Sequence, residues 1–200
     1  MSKQSDVKTK SIVDDKVKTK SVIDARVKTP SLHLPDASST AAVILSQAME
    51  YCAQKMGLRD TQAAIEQVKQ GDTMACSYCH YSAAQQVADT LGMLDSNVQA
   101  AYMFEYDATP EDISLGEAAR IIPLHLLVWV QRKTEALGAL VESLDRSMAH
   151  SLANMLGTSP DAYVLDVQVV DDSDIKNRAA YGALLSSLFE RPIKVWYRQD

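Results

Sequence analysis

The segment from Cys76 to His80, Cys-Ser-Tyr-Cys-His, is the part of the sequence whose residue types and spacing most directly indicate chemistry. Its two cysteines are three residues apart, and a histidine follows the second. This pattern is typical of covalent haem c attachment, and a Cys-x-x-Cys pair also occurs in metal sites and redox dithiols. The segment therefore predicts a cofactor, a metal ion or a redox pair, unless its cysteines are packed into a core.

A zinc site needs four ligands, and the chain contains enough candidates to supply them. Cys76, Cys79 and Cys52, together with His80 or His125, would complete such a set. An iron–sulfur cluster would use the same thiols, whereas haem c would require a second axial His or Met that the pattern does not identify. Zinc, an iron–sulfur cluster and haem are thus the alternative cofactors that this segment allows.

The helical periodicity around the motif favours a simpler interpretation. Cys76, Cys79, Ala83 and Val87 recur at the spacing of one helix face, so both thiols lie on an apolar stripe. Cysteine is among the most frequently buried residues and packs as a small hydrophobic side chain. We therefore expect the cysteines to be core residues, with no cofactor bound and with His80 at their border.

An acidic cluster is the second candidate site. Asp171, Asp172 and Asp174 follow an apolar strand pattern and precede a helical one, and ligands often bind at that edge of an α/β sheet. Their carboxylates are ligands that hard divalent cations prefer. Aspartates at such a junction are also common as turn and capping residues. The cluster predicts either a cation site or a local cap.

The elements that must position these residues begin with helices. Apolar residues at helical spacing, with aspartates or serines before them and glycines after them, indicate three helices in succession. We expect one from a cap at Ser38 or Ser39 to Met56, one after Asp60 that stops at Gly71, and one from Asp72 to Gly92.

Strand patterns then alternate with helical ones. Strands are predicted over 98–106, 124–130, 162–170 and 193–198. Helices are predicted after Thr109, from about Arg132 to Leu156, and from Ser173 or Asp174 to Pro192. Strands that are separated by helices favour parallel pairing through crossovers. The predicted fold class is α/β: N-terminal helices followed by a small three- or four-stranded, mostly parallel or mixed sheet with crossover helices.

A decapeptide repeat precedes this domain. SDVKTKSIVD (5–14) is followed by DKVKTKSVID (15–24) and ARVKTPSLHLPD (25–36). We interpret residues 1–36 as a flexible basic arm and residues 37–200 as a single α/β domain. The arm is either a solvated extension or a docking segment whose aliphatic pairs add to a partner's sheet edge.

Charge is distributed unevenly between these two parts. Residues 1–30 hold eight Lys or Arg and four Asp, a net +4, whereas residues 31–200 hold twelve basic and twenty-two acidic residues, a net −10. The acidic domain should repel nucleic acid and anionic membranes, so only the arm would attract nucleic acid, and weakly. A partner protein or self-association, such as a homodimer, is the expected interaction.

Composition and motifs then limit the functional classes. The chain shows no secretory signal and no apolar run of membrane-spanning length, so we expect a cytoplasmic protein with free thiols. No serine-hydrolase elbow, zinc-protease or phosphate-loop motif occurs. A non-catalytic binding module is the favoured function. The alternatives are a metal- or thiol-dependent redox or sensor protein and a small hydrolase or transferase with a divalent cation at the acidic edge.

Overall fold

A computed structural model describes residues 36–104, 123–160, 163–187 and 192–199. The repeat arm before Asp36 and the helix predicted to follow Thr109 lie outside these ranges. Among the helices within them, none has both the length and the apolar character that a membrane span requires.

Three helices open the described part of the chain, as the sequence predicts. They are α1 (Ala37–Met56), α2 (Thr61–Lys69) and α3 (Thr73–Leu94). Each begins after an aspartate whose carboxylate accepts a hydrogen bond from a backbone N–H of the first turn: Asp36, Asp60 and Asp72. The predicted cap of α1 at Ser38 or Ser39 is wrong, because Asp36 accepts that bond from the backbone N–H of Ser39.

Glycines end two of these helices but not the third. Gly57 has a φ of 64° after α1, and Gly71 has a φ of 75° just beyond α2, a conformation that glycine adopts at little cost. Gly92, predicted to end α3, instead lies inside it. A Cβ at Gly92 would overlap the indole ring of Trp196, so this glycine serves a close contact between helix and strand.

The remaining elements form a four-stranded mixed sheet. Its strands are β1 (Val98–Met103), β2 (Leu124–Val130), β3 (Leu165–Asp171) and β4 (Ile193–Tyr197), in the order β3-β2-β1-β4. Helix α4 (Glu135–Leu156) connects β2 to β3, and these two strands are parallel. The predicted α/β class, with N-terminal helices before a four-stranded mixed sheet, is confirmed.

Among the described strands, β2 and β3 form the one parallel pair. β1 runs antiparallel to both β2 and β4, with Tyr102 opposite Leu127 on one side and Lys194 on the other. The expectation that strands separated by helices pair in parallel is therefore wrong for β1 and β2. An antiparallel neighbour requires only that the chain return at the same end of the sheet, whereas a parallel one requires a crossover.

The main core lies between the helices and one face of the sheet. In β2, Leu124, Leu126, Val128 and Val130 belong to this core, together with apolar residues of α1, α3 and α4. Leu127 points to the opposite face and is fully buried there. Since each buried leucine contributes about 1.5–3 kcal/mol, β2 is held firmly on both faces, as its nearly continuous apolar sequence predicts.

The segment after β3 does not form the single long helix that the sequence predicts. A short helix α5 (Asp172–Asn177) is followed by a 3-10 helix (Ala180–Ser186). Arg178 and Ala180 have φ values of 51° and 43°, which take the backbone out of the right-handed helical region. Asp171 caps α5, so the predicted cap at Ser173 or Asp174 is also wrong.

The last described strand is fastened to the end of α3. The Trp196 indole N–H donates to Asp89 at 3.2 Å. The Arg198 guanidinium donates to the backbone carbonyls of Gly92, Asp95 and Val98. A cation at carbonyls that follow a helix also interacts favourably with the helix dipole.

Candidate functional site

The cysteines of the sequence motif lie on α3 and face inward. Cys79 is 6% exposed, Cys76 is half-buried, and Cys52 of α1 is fully buried. Cys76, Cys79 and His80 line a small internal cavity of about 30 Å³, together with apolar side chains. This volume is close to that of a single water molecule.

The thiols make weak hydrogen bonds to backbone carbonyls. Cys52 Sγ donates to the carbonyl of Ala75 at 3.5 Å, and Cys76 Sγ to that of Val68 at 4.0 Å. These contacts suit protonated thiols that pack as core residues. In the part of the chain that the structure describes, no group of three His, Cys, Asp or Glu side chains is arranged to hold a metal ion.

The electrostatics of the cluster keep these groups neutral. Burial, with smaller contributions from Cys52 and Cys76, raises the pKa of Cys79 to about 12. Burial also raises the pKa of Cys52 and of Cys76, and a nearby Asp72 adds to both shifts. Because the thiolate is the nucleophile and the metal ligand, this environment disfavours both roles at neutral pH.

Burial also shifts the pKa of His80, but in the opposite direction to the pKa values of the cysteines. Burial, and to a lesser extent His125, lowers the pKa of His80. The imidazole is therefore neutral at physiological pH. The structure thus brings Cys52, Cys76, Cys79 and His80 to one region, and the interpretation of the cysteines as core residues is the one that this environment favours.

The three aspartates lie together at the end of β3, as predicted, and each has a partner within the fold. Asp171 accepts from the backbone N–H groups of Ser173 and Asp174, and Asp174 accepts from that of Asp171, which makes a capping box. Asp172 accepts from the Trp129 indole at 2.8 Å. The cluster therefore has the contacts of a helix cap.

Asp174 also forms an ion pair. Lys133 Nζ lies 2.6 Å from its Oδ2. The hydrogen bond from Lys133, and then that from the Asp171 backbone, lowers the pKa of Asp174. The cation site stays a prediction, and a divalent ion there would have to compete with Lys133 for this carboxylate.

His125 lies on the sheet face opposite the helices and has an acidic partner. Its Nδ1 is 2.9 Å from Oδ2 of Asp166, whose Oδ1 accepts from Gln168 at 2.6 Å. The ring also packs near Phe104, with 5.4 Å between centroids. The carboxylate fixes the orientation of the imidazole.

A groove between α4 and the outer side of β3 is a concave feature that the sequence did not predict. It has a volume of about 470 Å³. Its helix wall consists of Gly138, Val141, Glu142 and Asp145. Its strand wall includes Tyr163, Leu165, Asp166, Val167 and Val169. We call this feature the β3 groove.

The groove exists because β3 is an outer strand. Within the described ranges β3 pairs only with β2, so its other edge has no strand beside it. Helix α4 packs mainly against α1. Val141, Val167 and Val169 consequently pack on the core from one side only and stay half-buried.

Gly138 keeps the helix wall open. A Cβ at this position would meet no atom within 4 Å, so no packing contact requires glycine there. A glycine inside a helix costs roughly 0.5–1 kcal/mol relative to alanine. The groove therefore includes a residue that lowers helix stability and leaves space for another group.

Asp145 fixes the position of the strand wall relative to the helix. Its Oδ1 accepts from the backbone N–H groups of Val164 and Leu165, both at 2.8 Å. These bonds tie the middle of α4 to the start of β3. The groove is thus a defined feature of the fold and does not depend on loose packing of α4.

The charge of the groove is acidic. Glu142, Asp145 and Asp166 contribute carboxylates, and no lysine or arginine is among its lining residues. Arg146 pairs with Glu142 at 3.0 Å, but both side chains are well exposed, and such pairs contribute little. The arrangement suits a ligand that carries both aliphatic and basic groups.

Comparisons of this chain with protein-family models, with curated proteins and with solved structures found no match.

Proposed function

We propose that this chain is a non-catalytic binding module that holds an extended peptide segment in the β3 groove. The observation that carries the proposal is the groove itself, which follows the unpaired edge of β3 within the described residues. The lining runs from Tyr163 to Val169, a length of about 20 Å at the rise of a strand. That length matches a bound segment of about six residues.

The chemistry of the walls supports one class of ligand. Main-chain groups along the edge of β3 would pair with the backbone of an added strand, as in β-augmentation. Val167 and Val169 share a face of β3 and offer contacts to aliphatic side chains at alternate positions. Glu142 and Asp145 favour lysine or arginine between them. Because both features lie on one side of β3, we expect an extended ligand whose groove-facing residues, at alternate positions, include both aliphatic and basic side chains.

A positional-scanning array of immobilised ten-residue peptides tests this function. Purified full-length protein should be retained by peptides that carry aliphatic and basic residues together on one side of an extended chain, at positions i and i+2, and less so as salt rises. Gly138→Phe should abolish retention, because the new side chain projects into the groove without a clash at its Cβ. Ala139→Phe is the matched control, since Ala139 is exposed on the same helix and does not line the groove.

Comparing the two variants shows whether the groove is the binding site. Selective retention that is lost in Gly138→Phe and kept in Ala139→Phe supports the groove as the binding site. Retention that both variants share places binding elsewhere on the molecule and contradicts the proposal. The thiol- or metal-dependent sensor and the cation-dependent hydrolase or transferase remain alternative predictions, without a favouring observation among the described residues.

A further inference from the structure

We infer that the occupant of the β3 groove is the chain's own decapeptide repeat, residues 15–24, bound within the same molecule. This inference rests on the proposed function and names its ligand. Three observations support it: the sequence pattern of the repeat, the charges of the two partners, and the point at which the described chain begins.

The repeat has the pattern that the groove walls favour. In the run Val17-Lys18-Thr19-Lys20, alternate residues fall on opposite sides of an extended segment. Lys18, Lys20 and Val22 would then lie on the side that faces the valines of β3 and Glu142 of α4, and Val17 and Thr19 would lie on the other side. The aliphatic pair Val22-Ile23 follows directly. Valine, threonine and isoleucine are also the residues that favour strand conformation.

The charges are complementary. Residues 1–30 have a net charge of +4 and the rest of the chain −10. The groove lining contributes three carboxylates and no basic side chain. A lysine-bearing segment is therefore attracted to this part of the surface, over a range of about 8 Å at physiological salt.

The described chain begins within reach of the groove. Ser38, near the start of α1, lines a depression together with Ser147 and His150 of α4. From Ser147 to Gly138 the rise along α4 is about 14 Å, and crossing the helix adds about 10 Å. Residues 25–35 span up to about 36 Å when extended, so they can link Asp36 to a repeat in the groove.

Because the repeat is attached to the domain, even a weak interaction is sufficient for it to occupy the groove. A short linker gives the attached segment an effective concentration in the millimolar range. The repeat 15–24 is the nearest complete repeat that can reach the groove in its own molecule. An external ligand of the same class would have to displace it, so the arm would act as a built-in competitor.

Zero-length carbodiimide cross-linking of the full-length protein, followed by mass spectrometry, tests the inference. This reagent joins a lysine to a carboxylate only where the two are in contact. We expect Lys18 or Lys20 to be linked to Glu142, and these links to be lost in Gly138→Phe and retained in Ala139→Phe. Glu50 of α1 and Glu66 of α2, both exposed, are internal controls that should react less.

An isotope mixture decides whether the contact is within one molecule. When equal amounts of ¹⁴N- and ¹⁵N-labelled protein are mixed, links within one chain join peptides of the same label. Mixed-label links would overturn the intramolecular assignment. Links spread equally over Glu50, Glu66 and Glu142 would overturn the groove as the docking site of the arm.

Failure of this inference can be distinguished from failure of the proposed function. If the arm is not linked to Glu142 but the peptide array shows groove-dependent retention, the groove binds an external ligand and only the inference is wrong. If neither the retention by peptides nor the cross-link to Glu142 is lost in Gly138→Phe, the inference and the proposed function are both wrong. If arm lysines are cross-linked to Glu142 but no peptide on the array retains the protein, the arm keeps the groove occupied, which supports the inference.

Discussion

At the scale of single residues, burial determines what the Cys-x-x-Cys-His segment can do. Cys79 lies on the inner face of α3 among apolar side chains, and its pKa is raised to about 12. A thiol in water ionises near pH 9.0. The unfolded chain can therefore lose a proton that the folded chain retains, and alkaline conditions should expose this difference.

We expect Cys79→Ala to test this coupling through the pH dependence of stability. Because the pKa of Cys79 is raised on folding, its contribution is fully present below pH 9.0 and declines from there toward pH 12. The difference in unfolding free energy between wild type and Cys79→Ala should shrink by up to about 1.4 kcal/mol per pH unit in this range. Urea denaturation at pH 8, 9 and 10 measures it.

An exposed position in the same turn supplies the control for this experiment. Ser77→Ala should change stability by an amount that does not vary with pH, since Ser77 is exposed and does not titrate. A pH-independent difference for Cys79→Ala would contradict the raised pKa. It would mean that the thiol reaches solvent in the folded state.

At the scale of elements, the relation between α4 and β3 shapes the candidate binding site. One carboxylate oxygen of Asp145 receives two backbone N–H groups at the start of β3. Hydrogen bonds to a charged group contribute about 1.5–3 kcal/mol each. Val164 and Leu165 are also buried, so their N–H groups would lose partners if the carboxylate were removed.

We expect Asp145→Ala to lower the unfolding free energy by about 2–3 kcal/mol and to loosen the start of β3. Hydrogen exchange should show faster exchange at the amides of Val164 and Leu165, while those of β1 keep their protection. Glu142→Ala, one turn earlier on α4, should cost no more than about 0.5 kcal/mol because its ion pair with Arg146 is exposed. Equal effects of the two variants would contradict the role assigned to Asp145.

The sequence predicted the elements better than it predicted their arrangement. The caps at Asp60 and Asp72 and the αL glycine at Gly57 act within a few residues, so a local pattern reveals them. The contact between Gly92 and Trp196 joins distant parts of the chain, and a local pattern interprets this glycine as a helix end. The break at Arg178 was missed for the related reason that apolar spacing alone does not report a change in φ.

The difference between local patterns and contacts of distant segments also explains which site residues could be found from the sequence. The thiols and aspartates stand out by residue type, and their neighbours on α3 or around β3 follow from periodicity. The β3 groove depends on where α4 settles relative to an outer strand, which no local pattern specifies. Gly138 is the one signal in the sequence, because a glycine inside a helix has a cost that calls for a reason.

At the scale of the whole molecule, contacts between distant segments close the fold. Trp196 of β4 packs on Gly92 of α3 and donates to Asp89. Arg198 then binds three carbonyls at the end of α3 and the start of β1. These contacts connect the last described strand to the helical layer.

We expect a double-mutant cycle to show that Gly92 and Trp196 act together. Gly92→Ala should destabilise the wild type, because the new methyl group overlaps the indole. In a Trp196→Ala background the same change should be neutral or stabilising by up to about 1 kcal/mol, since alanine favours helix over glycine. The coupling energy from urea denaturation should fall in the range of about 0.5–3 kcal/mol. Additive effects would mean that the ring moves aside at no cost.

The strand order also means that β1 is synthesised well before one of its two neighbouring strands. β1 is an inner strand, yet the neighbour that covers one of its sides, β4, is translated about ninety residues later. At a ribosomal rate of 5–20 residues per second, that neighbour emerges about 5–20 s after β1. During that interval the nascent chain presents an open β edge, and at this stage it is most exposed to pairing with another chain or to a chaperone.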